Sequence, residues 1–189
     1  MNGQAVVLDA MGVIFESADD VAGLLIPYLR KLGCTLADSS IEKEYRRCSL
    51  GEFASNEFWE KCGVAGNDEE YCLLHELMPG MPELLDEFHA AGIPVAVLSN
   101  DVSQWSRILR RRFRLDDRVR HWVVSADVGV RKPDAAIYRS FLKSTGWVAS
   151  QITFFDDRPA NVMAARAAGM RSQLFTDVDE IRRVLGIKD

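Results

Sequence analysis

Three apolar runs in this 189-residue chain each end in residues able to do chemistry. Ala5-Val6-Val7-Leu8 runs into Asp9, the run from Ile93 to Leu98 into Ser99-Asn100-Asp101, and Ile152-Thr153-Phe154-Phe155 into Asp156-Asp157. A further polar group, Lys132, stands in Gly129-Val130-Arg131-Lys132-Pro133, just ahead of a helical pattern. Carboxylates with no histidine or paired cysteine beside them suit a hard, oxygen-seeking cation such as Mg²⁺. A cation, an ammonium and a Ser/Asn pair together can hold a phosphate. Positioning and charge neutralisation are most of what phosphoryl transfer requires. One of the carboxylates is then a candidate nucleophile for a covalent intermediate. Taken singly, each cluster also fits a plainer role, because Asp, Ser and Asn commonly end strands and cap helices. Their joint placement at one rim favours the chemistry.

The elements that must bring these groups together follow from hydrophobic periodicity. Ala5–Leu8 is short, β-branched and apolar, the pattern of a buried strand. Further strands are expected at Ile93–Leu98, Trp122–Val124, Ile152–Phe155 and Ser172–Phe175. Between them lie helical patterns at Pro82–Ala91, Val102–Arg112, Asp134–Ser144, Pro159–Ala168 and Asp177–Leu185. This alternation predicts an α/β fold, a doubly wound parallel sheet covered on both faces. Residues 15–78 instead read as helical throughout, with helix starts at Asp20-Val21, Asp38, Gly51-Glu52 and Asn67-Asp68, and with Pro27 as a kink or a displaced start. The expected division is a core of residues 1–14 and 79–189 with a small helical cap inserted after the first strand. In open parallel sheets, ligands bind beyond the carboxyl ends of the strands, where all the polar clusters fall.

Composition narrows the function classes. Hydrophobic residues make up 48% and charged residues 27%, the balance of a folded globular chain rather than a disordered one. The net charge of −5 argues against a nucleic-acid partner. The basic stretch Arg107–Arg112 therefore reads as a solvated helix face. No run approaches a membrane span, and the N-terminal apolar run has no basic leader and is broken by an Asp, so no membrane partner or secretory route is expected. Cys34, Cys48, Cys62 and Cys72 form no CxxC pair. They read as reduced thiols of a cytoplasmic protein. His75, His89 and His121 carry no metal-ligand spacing and read as structural. Oligomeric state is not legible.

The ordered motifs resemble those of the haloacid dehalogenase superfamily of hydrolases. VVLDAMGVIF is similar to the family's first motif, VLSND to the second, GVRKPDAAIY to the third and FFDDRPANVMAARAAGM to the fourth. The third and fourth segments also resemble the bacterial glucose-1-phosphate phosphatase subgroup. The resemblance implies a Rossmann-like core with a cap that selects substrate, Mg²⁺ as cofactor and a small phosphorylated substrate. It implies that Asp9 attacks phosphorus and that water later hydrolyses the aspartyl-phosphate. Mg²⁺ would be held by Asp9, the backbone carbonyl of Met11 and Asp157. Lys132 would neutralise Asp9 and the phosphate, Ser99 would donate a hydrogen bond to the phosphate, helped by Asn100 or its backbone, and Asp156 would orient Lys132 or support the metal. Asn161 reads equally as support for the metal site or for its helix.

The chain departs from the family at Met11. Family phosphatases usually carry an acid two residues after the nucleophile, and a thioether transfers no proton. Loss of such a group typically costs about 10²–10⁴ in rate. Three readings follow: a phosphatase acting on esters whose leaving oxygen needs little protonation, a carbon–halogen hydrolase, and a catalytically weak protein that binds a phosphorylated ligand or a partner. Asp157 favours the first over the second, because the family's dehalogenases do not use Mg²⁺ and usually have Ser in place of that acid. In the cap, Phe53, Phe58, Trp59, Tyr71, Leu73 and Leu74 fit core packing better than a pocket lining. Arg46 and Arg47 fit a solvated helix face, with contact to a substrate anion as the alternative. Trp105 and Trp122 carry no readable role.

Overall fold

The structure, a computed structural model, describes residues 5–187; the expectation that residues 1–4 and 188–189 belong to the core lies outside the described residues. Strand β1 (Ala5–Leu8) leads into α1 (Ile26–Lys31), α2 (Asp38–Cys48), α3 (Ser55–Lys61) and α4 (Asp68–Cys72). There follow α5 (Met81–Ala90), β2 (Val95–Ser99), α6 (Ser103–Arg112), β3 (His121–Val124), α7 (Ser125–Val128) and α8 (Ala135–Thr145). The chain closes with β4 (Ile152–Asp156), α9 (Pro159–Ala167), β5 (Arg171–Leu174) and α10 (Val178–Leu185).

The sheet is parallel throughout, in the order β3-β2-β1-β4-β5. Every residue of β1 is buried, as a strand covered on both faces requires. Val6 and Leu8 face one apolar cluster, with Leu84 and Leu85 of α5, Trp105 and Leu109 of α6 and Ile181 of α10. Val7 faces the other, with Ile137, Tyr138 and Phe141 of α8 and Ala165 of α9. The chain builds outward from β1 to β3, then crosses to β4 on the other side of β1. That reversal opens a crevice at the carboxyl ends of β1 and β4. The register pairs Leu8 with Phe155, so the next residues, Asp9 and Asp156, emerge side by side.

The segment between β1 and α5 is helical, and it leaves and re-enters the sheet layer at adjacent points. Phe15 bridges Leu77, Glu16 N–H donates to the Glu76 carbonyl at 3.1 Å, and Met78 N–H donates to the Ile14 carbonyl at 2.8 Å. Its apolar side is continuous with the first cluster. Tyr45, Phe58, Trp59 and Tyr71 pack around Trp105 of α6, with the Tyr71 and Trp105 ring centroids 4.6 Å apart. Trp105, which had no role readable from sequence, is thus the centre of the contact.

Local details differ from expectation for identifiable reasons. The helix expected from Asp20 opens with a π-helical stretch, Val21–Leu25, before α1, whose first turn holds Pro27. Proline offers no N–H, so the bonding pattern changes register ahead of it. The helix expected at Gly51-Glu52 starts instead at Ser55. Gly51 has φ +76° and its Cα faces the Ala126 carbonyl so closely that no Cβ fits, which makes it a close-approach glycine rather than a helix start. Helix α4 ends at Cys72, leaving Leu73 and Leu74 at 60% and 39% exposure, outside the core assigned to them. The short helix α7 was not anticipated, and β2 and β5 are shifted by one or two residues from their expected bounds.

Candidate active site

Asp9 follows the last residue of β1 and is buried; its Oδ1 accepts a hydrogen bond from Ala10 N–H at 2.7 Å. Lys132 Nζ lies 2.6 Å from the same oxygen and 2.7 Å from Asp156 Oδ2. The ammonium thus sits between two carboxylates with its side chain fully buried. Asp156 closes β4 and is saturated: Asn161 Nδ2 donates to both its oxygens at 2.9 and 3.0 Å, and Arg158 N–H donates to Oδ1 at 2.9 Å. Asp157, one residue on, is only half-buried, and its Oδ1 has no hydrogen-bond partner. Carboxylate oxygens of Asp9, Asp156 and Asp157 lie within 4.8 Å of one another.

Ser99 closes β2 and its hydroxyl is buried without a partner. Asn100 is occupied differently. Its Oδ1 accepts from Lys132 N–H at 2.7 Å and its Nδ2 donates to the Lys132 carbonyl at 3.0 Å. The Asn100 side chain therefore fastens the backbone that carries the ammonium, so it is not free to wrap a phosphate. Met11 lines the cleft beside Asp9. Asn161 holds Asp156 through its amide, while its own carbonyl accepts from the Tyr138 hydroxyl at 2.9 Å.

The electrostatics follow from burying two acids around one ammonium, with a third, half-buried acid beside them. Burial pushes Asp9 up to about 8, opposed by Lys132 and reinforced by the Asp156 charge. Burial also raises Asp156, but Lys132 and the hydrogen bonds from Arg158 and Asn161 outweigh it and hold the group below the usual range. Asp157 is raised by burial and by its neighbour Asp156. A bound cation would relieve this excess of negative charge and favour the ionised acids. The donors are all oxygen, and the buried Oδ1 of Asp157 has no protein partner among the described residues. That set fits Mg²⁺, which takes one or two carboxylates and completes its shell with water and substrate.

A cleft of about 380 Å³ opens above Asp9. The sequence had singled out Asp9, Met11, Asn100 and Asn161 among its lining residues, and had allowed Arg46 as an anion contact. It had not singled out Asp20, Tyr45, Arg131 and Arg158, which also line it. Tyr45 lies on α2 and its hydroxyl donates to the Asn100 carbonyl at 3.2 Å, tying the helical segment to the rim. Arg131 donates to the Ser49 hydroxyl and lies over the Tyr45 ring, 5.5 Å from its centroid. Arg131 and Arg158 were legible in principle, since both sit inside the quoted motifs. Tyr45 carries no local signal. Phe58, Trp59 and Tyr71 lie in the core and do not line the cleft.

Gly12 was also missed. It has φ +77°, and a Cβ there would lie 2.6 Å from Asp157 Oδ2. A side chain at this turn would push against the Asp157 carboxylate.

The family model for haloacid dehalogenase-like hydrolases matches residues 4–169. A phosphoglycolate phosphatase from Pseudomonas fluorescens is 28% identical over 182 residues, covering 88% of this chain and 66% of that enzyme. A phosphatase from Mycobacterium tuberculosis is 28% identical over 194 residues, covering 92% of this chain and 88% of that protein. Several curated relatives are longer, and the chain spans between 12% and 66% of their length. Among solved structures, a HAD family enzyme from Bacteroides thetaiotaomicron in complex with magnesium and inorganic phosphate superposes with a TM-score of 0.75. It is 16% identical, covers 93% of this chain and 95% of its own, and shares the fold. No helix among the described residues is long and apolar enough to cross a membrane.

Proposed function

The chain belongs to the haloacid dehalogenase-like hydrolase family, and from that premise we propose that it is a Mg²⁺-dependent phosphatase acting on a small phosphate monoester through an aspartyl-phosphate on Asp9. The observation that carries this reading is the placement of Asp9, Asp156 and Asp157 within 4.8 Å of one another, with the Lys132 ammonium between the first two. The phosphatases among its relatives support it.

Asp9 attacks phosphorus, the ester bond breaks, and water then cleaves the Asp9–phosphorus bond. Lys132 orients the attacking carboxylate and neutralises charge on the phosphate, while Asp156 keeps the ammonium in place. The free Ser99 hydroxyl donates to a phosphate oxygen. Asp9, Asp157 and the Met11 carbonyl would hold Mg²⁺, which would neutralise phosphate charge and polarise its oxygens. A domain division at residues 15 and 78 matches the adjacent exit and return of the chain, and residues 15–78 then form the cap over the cleft. Cytoplasmic placement accords with four cysteines that are buried and free.

Met11 favours a second reading, a weakly active protein that binds a phosphorylated ligand. A screen of sugar phosphates, nucleotides and haloacids, with and without Mg²⁺, separates the readings. The phosphatase reading expects Mg²⁺-dependent phosphate release that falls on the order of 10⁴-fold or more in Asp9→Asn. Ligand binding without turnover selects the second reading. Metal-independent halide release selects a dehalogenase, against which the unpartnered Asp157 carboxylate already speaks.

A further inference from the structure

A phosphatase of this design still needs a proton for the leaving oxygen, and Met11 has none to give. Four carboxyl groups line the cleft: Asp9, Asp19, Asp20 and Glu42. Asp9 is the nucleophile of the proposed reaction. Asp19 and Glu42 are exposed, and Asp19 Oδ1 accepts from Ala22 N–H at 3.1 Å. Asp20 differs from both, being 5% exposed yet lining the cleft. Its Oδ2 accepts from the Tyr71 hydroxyl at 3.2 Å, and it forms no ion pair among the described residues.

The segment carrying Asp20 is held close to the reacting groups. A Cβ at Gly12 would meet both the Asp157 carboxylate and, at 3.0 Å, the Ala18 Cα. The chain two residues before Asp20 therefore rests on the turn that follows Asp9. Arg158, next to Asp157, donates from Nη2 to the Ala18 carbonyl at 3.1 Å. Asp20 is thus fixed from the rim side through Ala18 and from the cap side through Tyr71.

We propose that Asp20 performs the proton transfers that the residue at position 11 performs in related phosphatases; this rests on the phosphatase reading above. In the first half-reaction the Asp9 carboxylate forms a bond to phosphorus, the ester bond breaks, and the protonated Asp20 gives its proton to the leaving oxygen. In the second, the Asp20 carboxylate takes a proton from water as the water oxygen bonds to phosphorus and the Asp9–phosphorus bond breaks. Inorganic phosphate leaves, and both acids return to their starting states. Its environment suits the task. Burial pushes Asp20 up to about 6, opposed by the Tyr71 hydrogen bond and reinforced by Asp19. The other charged or titratable groups facing it are Arg158, Tyr45 and Asp101.

The test is Asp20→Asn in the full chain with Mg²⁺, on an alkyl phosphate and on 4-nitrophenyl phosphate. An amide keeps the acceptor for Tyr71 but transfers no proton. With the alkyl ester, the variant is expected to lose about 10²–10⁴ in kcat. With the aryl ester, whose leaving group needs no proton, it is expected to release one nitrophenolate per active site in a burst and then turn over slowly. The double variant Met11→Asp/Asp20→Asn is expected to regain at least tenfold on the alkyl ester. A rate on the alkyl ester within threefold of the wild type overturns the inference and leaves the phosphatase reading standing. An equal loss on both esters, with no burst and no rescue, also overturns it, since that marks a structural role. A wild-type chain that releases no phosphate with Mg²⁺ overturns the phosphatase reading together with the inference.

Discussion

The two sides of the cleft are built in opposite ways. On the sheet side, Asp9, Lys132 and Asp156 are buried and bonded to one another at 2.6 and 2.7 Å, and each stands on or next to a strand or a tightly bonded turn. On the helical side, Glu42 and Arg46 are exposed, and Arg46 forms no ion pair among the described residues. Reacting groups must be held to a fraction of an ångström, and a rigid support serves that need. Groups that meet a variable substrate gain from reach and from exchange with water. Under the proposed function, the rim would fix what reaction occurs and the helical face would govern what arrives. Asp20 lies between these regimes, as a buried acid on the helical side.

The largest break in this contrast should come where the two sides are joined. Asp68 of α4 accepts from the Ser55 hydroxyl at 2.6 Å, from Trp59 Nε1 at 2.8 Å and from Trp105 Nε1 at 2.7 Å. Asp68→Ala leaves these donors unpaired, and each unsatisfied buried donor costs about 1–3 kcal/mol. A stability loss of about 3 kcal/mol or more is expected in urea unfolding, with Trp fluorescence reporting the loosened indoles. An unchanged midpoint would show that the aromatic packing alone holds the helical segment.

A smaller effect is expected at the rim itself. Gly12→Ala sets a Cβ against Asp157 Oδ2 at a left-handed backbone position, a strain of about 1–2 kcal/mol for a residue other than glycine. Mg²⁺ affinity, measured by calorimetry, should fall about tenfold or more, with the melting temperature lowered by only a few degrees. Equal affinity would place the cation away from Asp157.

A pH-dependent effect separates acids that use the ammonium from one that does not. Asp101 lies just past β2 and has no ion pair among the described residues; burial drives it up to about 8, with Asp20 adding repulsion. The folded chain therefore keeps a proton that the unfolded chain releases above 3.8. Stability contributed by this group is lost as the pH rises from about 4 to about 8. Asp101→Asn cannot ionise, so it should melt a few degrees above the wild type at pH 8, with the difference gone near pH 4. A constant offset across that range would refute this assignment.

Much of the rim was legible because its signals are local. An apolar run that ends in an acid names both the strand and the residue that leaves it, and Asp9 and Asp156-Asp157 were found in that way. Lys132 was legible through its motif. The use of the Asn100 side chain was not, since no local signal shows that the fold spends its amide on the Lys132 backbone. The exposure of Leu73 and Leu74 was hidden because periodicity gives no warning that α4 stops at Cys72.

The sequence by itself determined the alternation of strands and helices, the oxygen-donor chemistry of the strand ends and the absence of a proton-transferring group at Met11. These depend on residue type and short spacing, which the chain carries in any conformation. Only the tertiary structure decided which acids share the ammonium, which oxygen is left free and that Asp20 reaches the cleft. Each of these depends on contacts between residues far apart in the chain, and therefore on how the sheet order and the path of the helical segment bring them together.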